Sequence, residues 1–286
     1  MTNINQPLLF EMIRSFTTLA RTLNLSHAVE ELKSTRQTVR RHIEALETAM
    51  GDPLFEVRDR RYQLTDEGER MLPSALSIQA QGRLWLRGDL SETDGMMRMS
   101  YDDGEGWYFH IQKQKFSSLW SCGSDLLKTA VKAWSESEGN LESEAMQAIR
   151  PYVLVYRDTP AGWLCSEVGE MSFFSKWWGW AEARSSVGRP LDKFPGGEEV
   201  GAIMKLPFLE VQATQGLRLD QVATLLPRGP DKEITTLVFN RLLMSARLPD
   251  GTSVLVVVVD GAKELLIEGI DSSILESMPI DVALEF

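Results

Sequence analysis

The chain has 286 residues, 43% of them hydrophobic, which supplies core for two domains and excludes a disordered tail. Its strongest apolar stretch, Val254 to Val259, has the length of a strand, and Met1 opens no charged and apolar leader, so the sequence predicts a cytoplasmic protein with no membrane crossing. The net charge of -11 is unevenly divided: up to Gly88 twelve Lys and Arg meet eleven Asp and Glu, and the remainder is strongly acidic, which excludes a chain that coats nucleic acid along its whole length.

The first helix is marked by Met12, Ile13, Phe16, Leu19, Ala20 and Leu23 at helical spacing. Ser26 is placed to cap a short second helix carrying Ala28, Val29 and Leu32. A third follows the break at Lys33 to Thr35, with Ser34 and Gln37 fitting a capping box and Thr35 as the other candidate cap, and it runs to about Met50 before Gly51 and Pro53 stop it. On a helical wheel Val39, Ile43, Leu46 and Met50 form one apolar stripe, and Gln37, Arg41, Glu44 and Thr48 point the opposite way, flanked by Arg36 and Arg40 on one side and Thr38 on the other. A buried stripe that seats a helix while polar side chains at its start face outward suits a helix read into a DNA major groove, since arginine pairs with guanine edges and glutamine with adenine. Next come Leu54 to Val57, the basic turn Arg58-Asp59-Arg60-Arg61 and the alternating Tyr62 to Leu64, a strand, turn and strand that read as a wing. Thr65 with Asp66 and Glu67 opens a further helix.

These pieces resemble the LysR-type transcriptional regulators. Asn24 to Leu32 is similar to the family's second helix, with Leu25 where phenylalanine is usual; Arg36 to Phe55 resembles its recognition helix and exit; Leu64-Thr65-Asp66-Glu67-Gly68 and Leu72-Pro73 resemble the start of its linker helix. The resemblance covers roughly residues 12–87. It implies a homodimer, or a tetramer built from it, that holds two recognition helices against double-stranded DNA. Carried over by position, Ser34, Thr35, Arg36, Gln37, Thr38, Arg40 and Arg41 would contact DNA, with Arg58, Arg60 and Arg61 on the wing, and Met71, Leu72, Ala75, Leu76 and Leu84 would pair the helices or else pack on their own domain.

Beyond the polar break at Gly88 to Gly95 the family's two-lobed effector domain is hard to find. Met96 to Met99 and Trp107 to Ile111 read as an antiparallel pair, Ser124 to Trp134 and Leu141 to Ile149 as helices, and Pro151 to Tyr156 as a buried strand. Phe173, Phe174, Trp177, Trp178 and Trp180 crowd into one stretch, either lining an effector pocket or building core. Ile234 to Arg247 and Ser253 to Val259 flank Leu248-Pro249-Asp250-Gly251 as a hairpin, and this closing part resembles PAS-type sensor domains, in which a meander sheet holds a ligand against short helices; a degenerate two-lobed domain is the competing reading. The expected fold is therefore α+β: a winged helix-turn-helix over residues 1–65, a linker helix over 66–90, and a sensor or regulatory domain with an antiparallel sheet over 91–286, its PAS-like part about 150–262.

Three histidines, two distant cysteines (Cys122 and Cys165), no GxSxG, no phosphate loop and no ligand spacing in Asp102 to Glu105 predict no enzyme, no metal and no cofactor. The sequence thus reads as a DNA-binding regulator whose second domain takes an unidentified small-molecule effector. Its alternatives are a second domain that receives a partner protein, or an enzyme fused to a DNA-binding module.

Overall fold

The computed structural model describes residues 8–58, 61–121, 124–159, 162–193, 197–228 and 232–279. The chain divides into two units, Met1–Arg83 and Leu84–Phe286.

The first unit begins with α1 (Leu9–Thr22), α2 (Leu25–Leu32) and α3 (Arg36–Met50). Met12, Phe16 and Leu19 of α1 meet Ala28 of α2 and Val39, Ile43 and Leu46 of α3 in one core, each large side chain contributing about 1.5–3 kcal/mol by leaving water. Asn24, not Ser26, caps α2, its side chain accepting from the amides of Ser26 at 2.9 Å and His27 at 3.3 Å. An amide-bearing side chain in extended backbone two residues earlier reaches two orphan N–H groups, which a serine inside the first turn cannot do. Leu23 leaves the apolar face of α1: as its C-cap it takes a left-handed φ of 47° and stays exposed. The strands β1 (Phe55–Arg58) and β2 (Arg61–Leu64) pair antiparallel from Phe55 opposite Leu64 to Arg58 opposite Arg61. Helix α4 (Asp66–Arg87) follows, its first turn capped by Thr65 Oγ1, which accepts from the amide of Gly68 at 3.0 Å. Gly68 has to be glycine, because a Cβ there would run into the carbonyl of Leu54.

In the second unit β3 (Leu90–Thr93), β4 (Met96–Asp102) and β5 (Tyr108–Lys113) form a meander, so part of the expected polar break is an edge strand. Helices α5 (Ser118–Ser121), α6 (Asp125–Glu136) and α7 (Glu144–Gln147) come next. The expected helix over Leu141 to Ile149 shrinks to the single turn of α7, which Ser143 caps. Then follow β6 (Val153–Thr159), β7 (Gly162–Val168), α8 (Phe173–Trp178), α9 (Trp180–Ser185), α10 (Gly197–Thr214), β8 (Leu217–Arg228), β9 (Glu233–Arg247) and β10 (Ser253–Gly261).

Eight strands join in one sheet in the order β3-β4-β5-β8-β9-β10-β6-β7, every neighbouring pair antiparallel. One antiparallel sheet sets the two-lobed alternative aside, but it is not the simple meander expected: β5 neighbours β8 and β10 neighbours β6, and one of the helices is the 18-residue α10. The hairpin of β9 and β10 closes at Gly251, whose φ of 84° a side chain would resist. Strands β8 and β9 are buried along their middle stretches, residues 218–224 and 237–246, because both faces are covered there. Phe208 of α10 meets Tyr156 of β6 on one face; on the other, residues 262–278 pack on Ala223 and Val238. Gln221 and Gln112 hold that last segment by accepting from the amides of Leu266 at 2.5 Å and Glu268 at 3.0 Å.

Candidate nucleic-acid interface and effector cavity

Thr35 caps α3: its Oγ1 accepts from the amide of Thr38 at 3.1 Å, which settles the choice between it and Ser34. Ser34 is half-buried and its amide donates to Val29 O at 3.1 Å, tying the turn to α2. Val39, Ile43 and Leu46 are buried as expected, but Met50 is exposed, and His42 replaces it on the inner side. The Nδ1 of His42 lies 2.8 Å from Ser15 Oγ, and burial, followed by the positive charge of Arg41, holds its pKa below the ordinary imidazole value. A histidine in a polar stretch resembles any surface residue; the signal for burial is its place three residues after Val39 and four before Leu46, on their face of the helix.

With α3 seated in this way, Thr35, Arg36, Gln37, Arg40 and Arg41 are exposed and Thr38 is half-buried. Arg36 donates to Ser26 Oγ at 2.8 Å and braces α2, so it is partly engaged within the unit. Across the turn between helix and wing, Glu47 accepts from the amides of Leu54 at 2.8 Å and Phe55 at 3.2 Å, and Phe55 packs edge-on against Phe16 and Tyr62. These contacts fix the wing to the helix that carries the arginines. Arg58 and Arg61 face each other in register near its tip, Arg58 paired with Glu56 at 2.8 Å. Arg60 lies outside the described residues.

On α4 the five residues expected to pair helices do not form one free surface. Ala75 is buried in the core of the first unit, Met71 and Leu72 pack against that core, Leu76 is half-buried and Leu84 is buried. Ala75 and Leu84 thus face the chain's own interior. The exposed apolar residues of this helix are Ile78, Trp85 and Leu86.

The aromatic cluster of the second unit divides by helical spacing. Phe173 stacks on Trp177 and Phe174 on Trp178, each pair four residues apart on α8, and both indoles donate to the carbonyl of Pro227, at 2.9 and 3.1 Å. Phe173 and Trp177 are buried core and Trp180 is exposed, so these three drop out of the expected pocket. Phe174 and Trp178 remain: they line a cavity of about 50 Å³ with Phe208, Phe239, Tyr156 and Arg241 among its other walls. The four partners lie on β6, α10 and β9 and could not be assembled from local sequence; an arginine inside the apolar run of β9 was the one visible hint.

Arg241 belongs to a buried row of charges. Asp220 stands opposite it in the sheet and accepts from its Nη2 at 2.9 Å, and Arg218, two residues along β8 on the same face, donates to the other oxygen of Asp220 at 2.7 Å. Glu210 of α10 takes a second nitrogen of Arg218 and lies 3.6 Å from Lys113 Nζ. Cys165 is buried and its thiol is pushed up to about 11 by that burial, so it carries no thiolate at neutral pH. Among the described residues no group of His, Cys, Asp and Glu is gathered to hold a metal, and no helix is long and apolar enough to cross a membrane.

Residues 10–69 match the model of the bacterial regulatory helix-turn-helix proteins of the lysR family. The HTH-type transcriptional regulator CitR of Bacillus subtilis (strain 168) is 39% identical over 69 residues, 24% of this chain and 24% of that protein, so the chain spans about a quarter of the length of this curated relative. A transcriptional regulator of the LysR family from Eggerthella lenta DSM 2243 is 44% identical over 23% of this chain and 93% of its own, with a TM-score of 0.22. The DNA-binding domain of CbnR, solved in complex with DNA, is 29% identical over 28% of this chain and 92% of its own, with a TM-score of 0.26.

Proposed function

Residues 10–69 are a lysR-family helix-turn-helix domain, and from that premise we propose that the chain is a sequence-specific DNA-binding transcription regulator, working as a homodimer and controlled through its second unit. The observation that carries this reading is the N-terminal end of α3, its cap and first two turns, where Thr35, Gln37, Arg40 and Arg41 stand exposed on a helix seated by Val39, Ile43 and Leu46. Side chains so placed enter a major groove, Gln37 and Arg41 reaching base edges while Thr35, Arg36, Thr38 and Arg40 bear on the adjoining backbone. Arg58, Arg61 and Arg60 of the wing add phosphate contacts, each contributing a salt-dependent increment.

Ile78, Trp85 and Leu86 support the homodimer, since large apolar side chains left in water on one helix gain by meeting a second copy. The aromatic-walled cavity favours a small-molecule signal over a partner protein, and binding there shifts the population between two arrangements of the dimer. The protein acts in the cytoplasm and regulates without catalysing. Selection of bound duplexes from a random pool tests the reading. It should return a two-fold symmetric motif whose half-sites lie about 34–36 Å apart, and a pool with no enriched motif after repeated rounds would overturn it.

A further inference from the structure

The cavity of the second unit is apolar on nearly every side, and Arg241 interrupts it. A guanidinium carries five donors and cannot shed its charge, so inside a protein it needs acceptors. Arg241 is 4% exposed, and its Nε has no hydrogen-bond partner among the described residues. Arg218 also keeps one nitrogen, Nη2, unpaired, but it is not part of the cavity wall. The two arginines differ in compensation. Burial lowers the pKa of Arg218, yet Asp220 and Glu210 more than offset it, whereas for Arg241 burial outweighs Asp220 and the value falls. Among the described residues the buried cations of the row, Arg218 and Arg241, pair with Asp220 and Glu210, and Glu210 also lies 3.6 Å from the partly exposed Lys113.

We propose that this cavity takes a small monocarboxylic acid with a compact apolar body, its carboxylate accepting from Arg241 and its body lying against Phe174, Trp178 and Phe208. The inference rests on the reading that the second unit senses a small molecule. One carboxylate supplies the acceptor that Nε lacks, and a charge-assisted hydrogen bond in so dry a site is among the stronger ones. A dianion such as a phosphate ester leaves most of its oxygens against aromatic walls, where they lose their hydration unrewarded. The cavity volume of about 50 Å³ keeps the apolar body short.

The test uses the full chain with isobutyrate and isovalerate, each set against its uncharged amide, isobutyramide or isovaleramide, in thermal unfolding and calorimetric titration. The acids should raise the melting temperature, as any ligand of the folded form does, and should bind at least about tenfold more tightly than the amides. Arg241→Lys keeps a charge opposite Asp220 but removes Nε, and should lose the preference for the acid. Met204→Trp, on the half-buried side of α10 that lines the cavity, should weaken acids and amides alike and does not disturb the charge row. Equal binding of acids and amides, or no binding of any of the four, would overturn the proposal. The sensor reading fails separately: it falls if an acid binds as described but leaves operator affinity unchanged, and it stands without the acid if a neutral metabolite alters that affinity instead.

Discussion

Both units rest on arginines, and the two sets live in opposite surroundings. Arg40 and Arg41 stand in water on α3, where a charge costs nothing to hold and is free to meet an outside phosphate or base. Arg218 and Arg241 are 1% and 4% exposed in the middle of a sheet, where the same group is tolerated because Asp220 bridges both and Glu210 also pairs with Arg218. The contrast teaches that residue type alone says little about role. In the first unit the arginines belong to the surface and the fold would survive their loss; in the second they belong to the core, and the fold is built around their compensation.

The comparison is broken most forcefully at Asp220. Asp220→Asn leaves two buried guanidiniums without their shared anion and should lower the stability of the second unit by about 3–5 kcal/mol, read by urea unfolding. Unchanged stability would mean that the row is hydrated and that the two environments differ less than the burial indicates. The first unit has its own fragile point in the close approach of Gly68 to Leu54. Gly68→Ala should cost that unit about 1–3 kcal/mol, because backbone must move to make room, and the melting of the second unit should stay where it was. A variant that melts like the parent would show the approach to be slack.

The smallest effect comes from two histidines, the buried His42 in the first unit and the half-buried His110 in the second. Burial comes first among the causes that lower both His42 and His110, and each imidazole therefore takes its proton in the unfolded chain before it does so in the folded one. As pH falls through the ordinary value of 6.5 the unfolded state binds the extra proton, so stability should decline from there down to the lowered value and then level off. His42→Gln should flatten that decline in the first unit and leave it in the second, as seen in melting temperatures collected between pH 8 and about pH 5. A decline unchanged by the substitution would place its origin elsewhere.

The two units were also unequally readable from sequence. Helix periodicity, the Gly51 stop and the Thr65 cap are local signals, and α1 to α4 emerged from them with only the cap of α2 and the ends of the apolar stripes misplaced. The exposed arginines of α3 were readable because they share one helix with the residues that seat it. In the second unit the β9 and β10 hairpin was visible for the same reason, its turn being local. The cavity was only half visible: Phe174 and Trp178 were in the predicted cluster, but their neighbours Phe173 and Trp177 face the core, a difference that rests on which strands lie beneath α8. Arg241 acquires its meaning from Asp220 across a strand pair, which no pattern along either strand displays.

Whether the first two turns of α3 read bases while the wing holds the backbone is addressed directly by one measurement: affinities of the parent, Arg41→Ala and Arg61→Ala proteins for the selected site and for its complete set of single-base variants, over a range of salt. Loss of Arg41 should cost about 1–3 kcal/mol on the parent site and erase discrimination at one position in each half-site. Loss of Arg61 should weaken every sequence alike and reduce the salt slope by about one. An Arg41→Ala protein that loses affinity uniformly, with every base preference intact, would contradict the account.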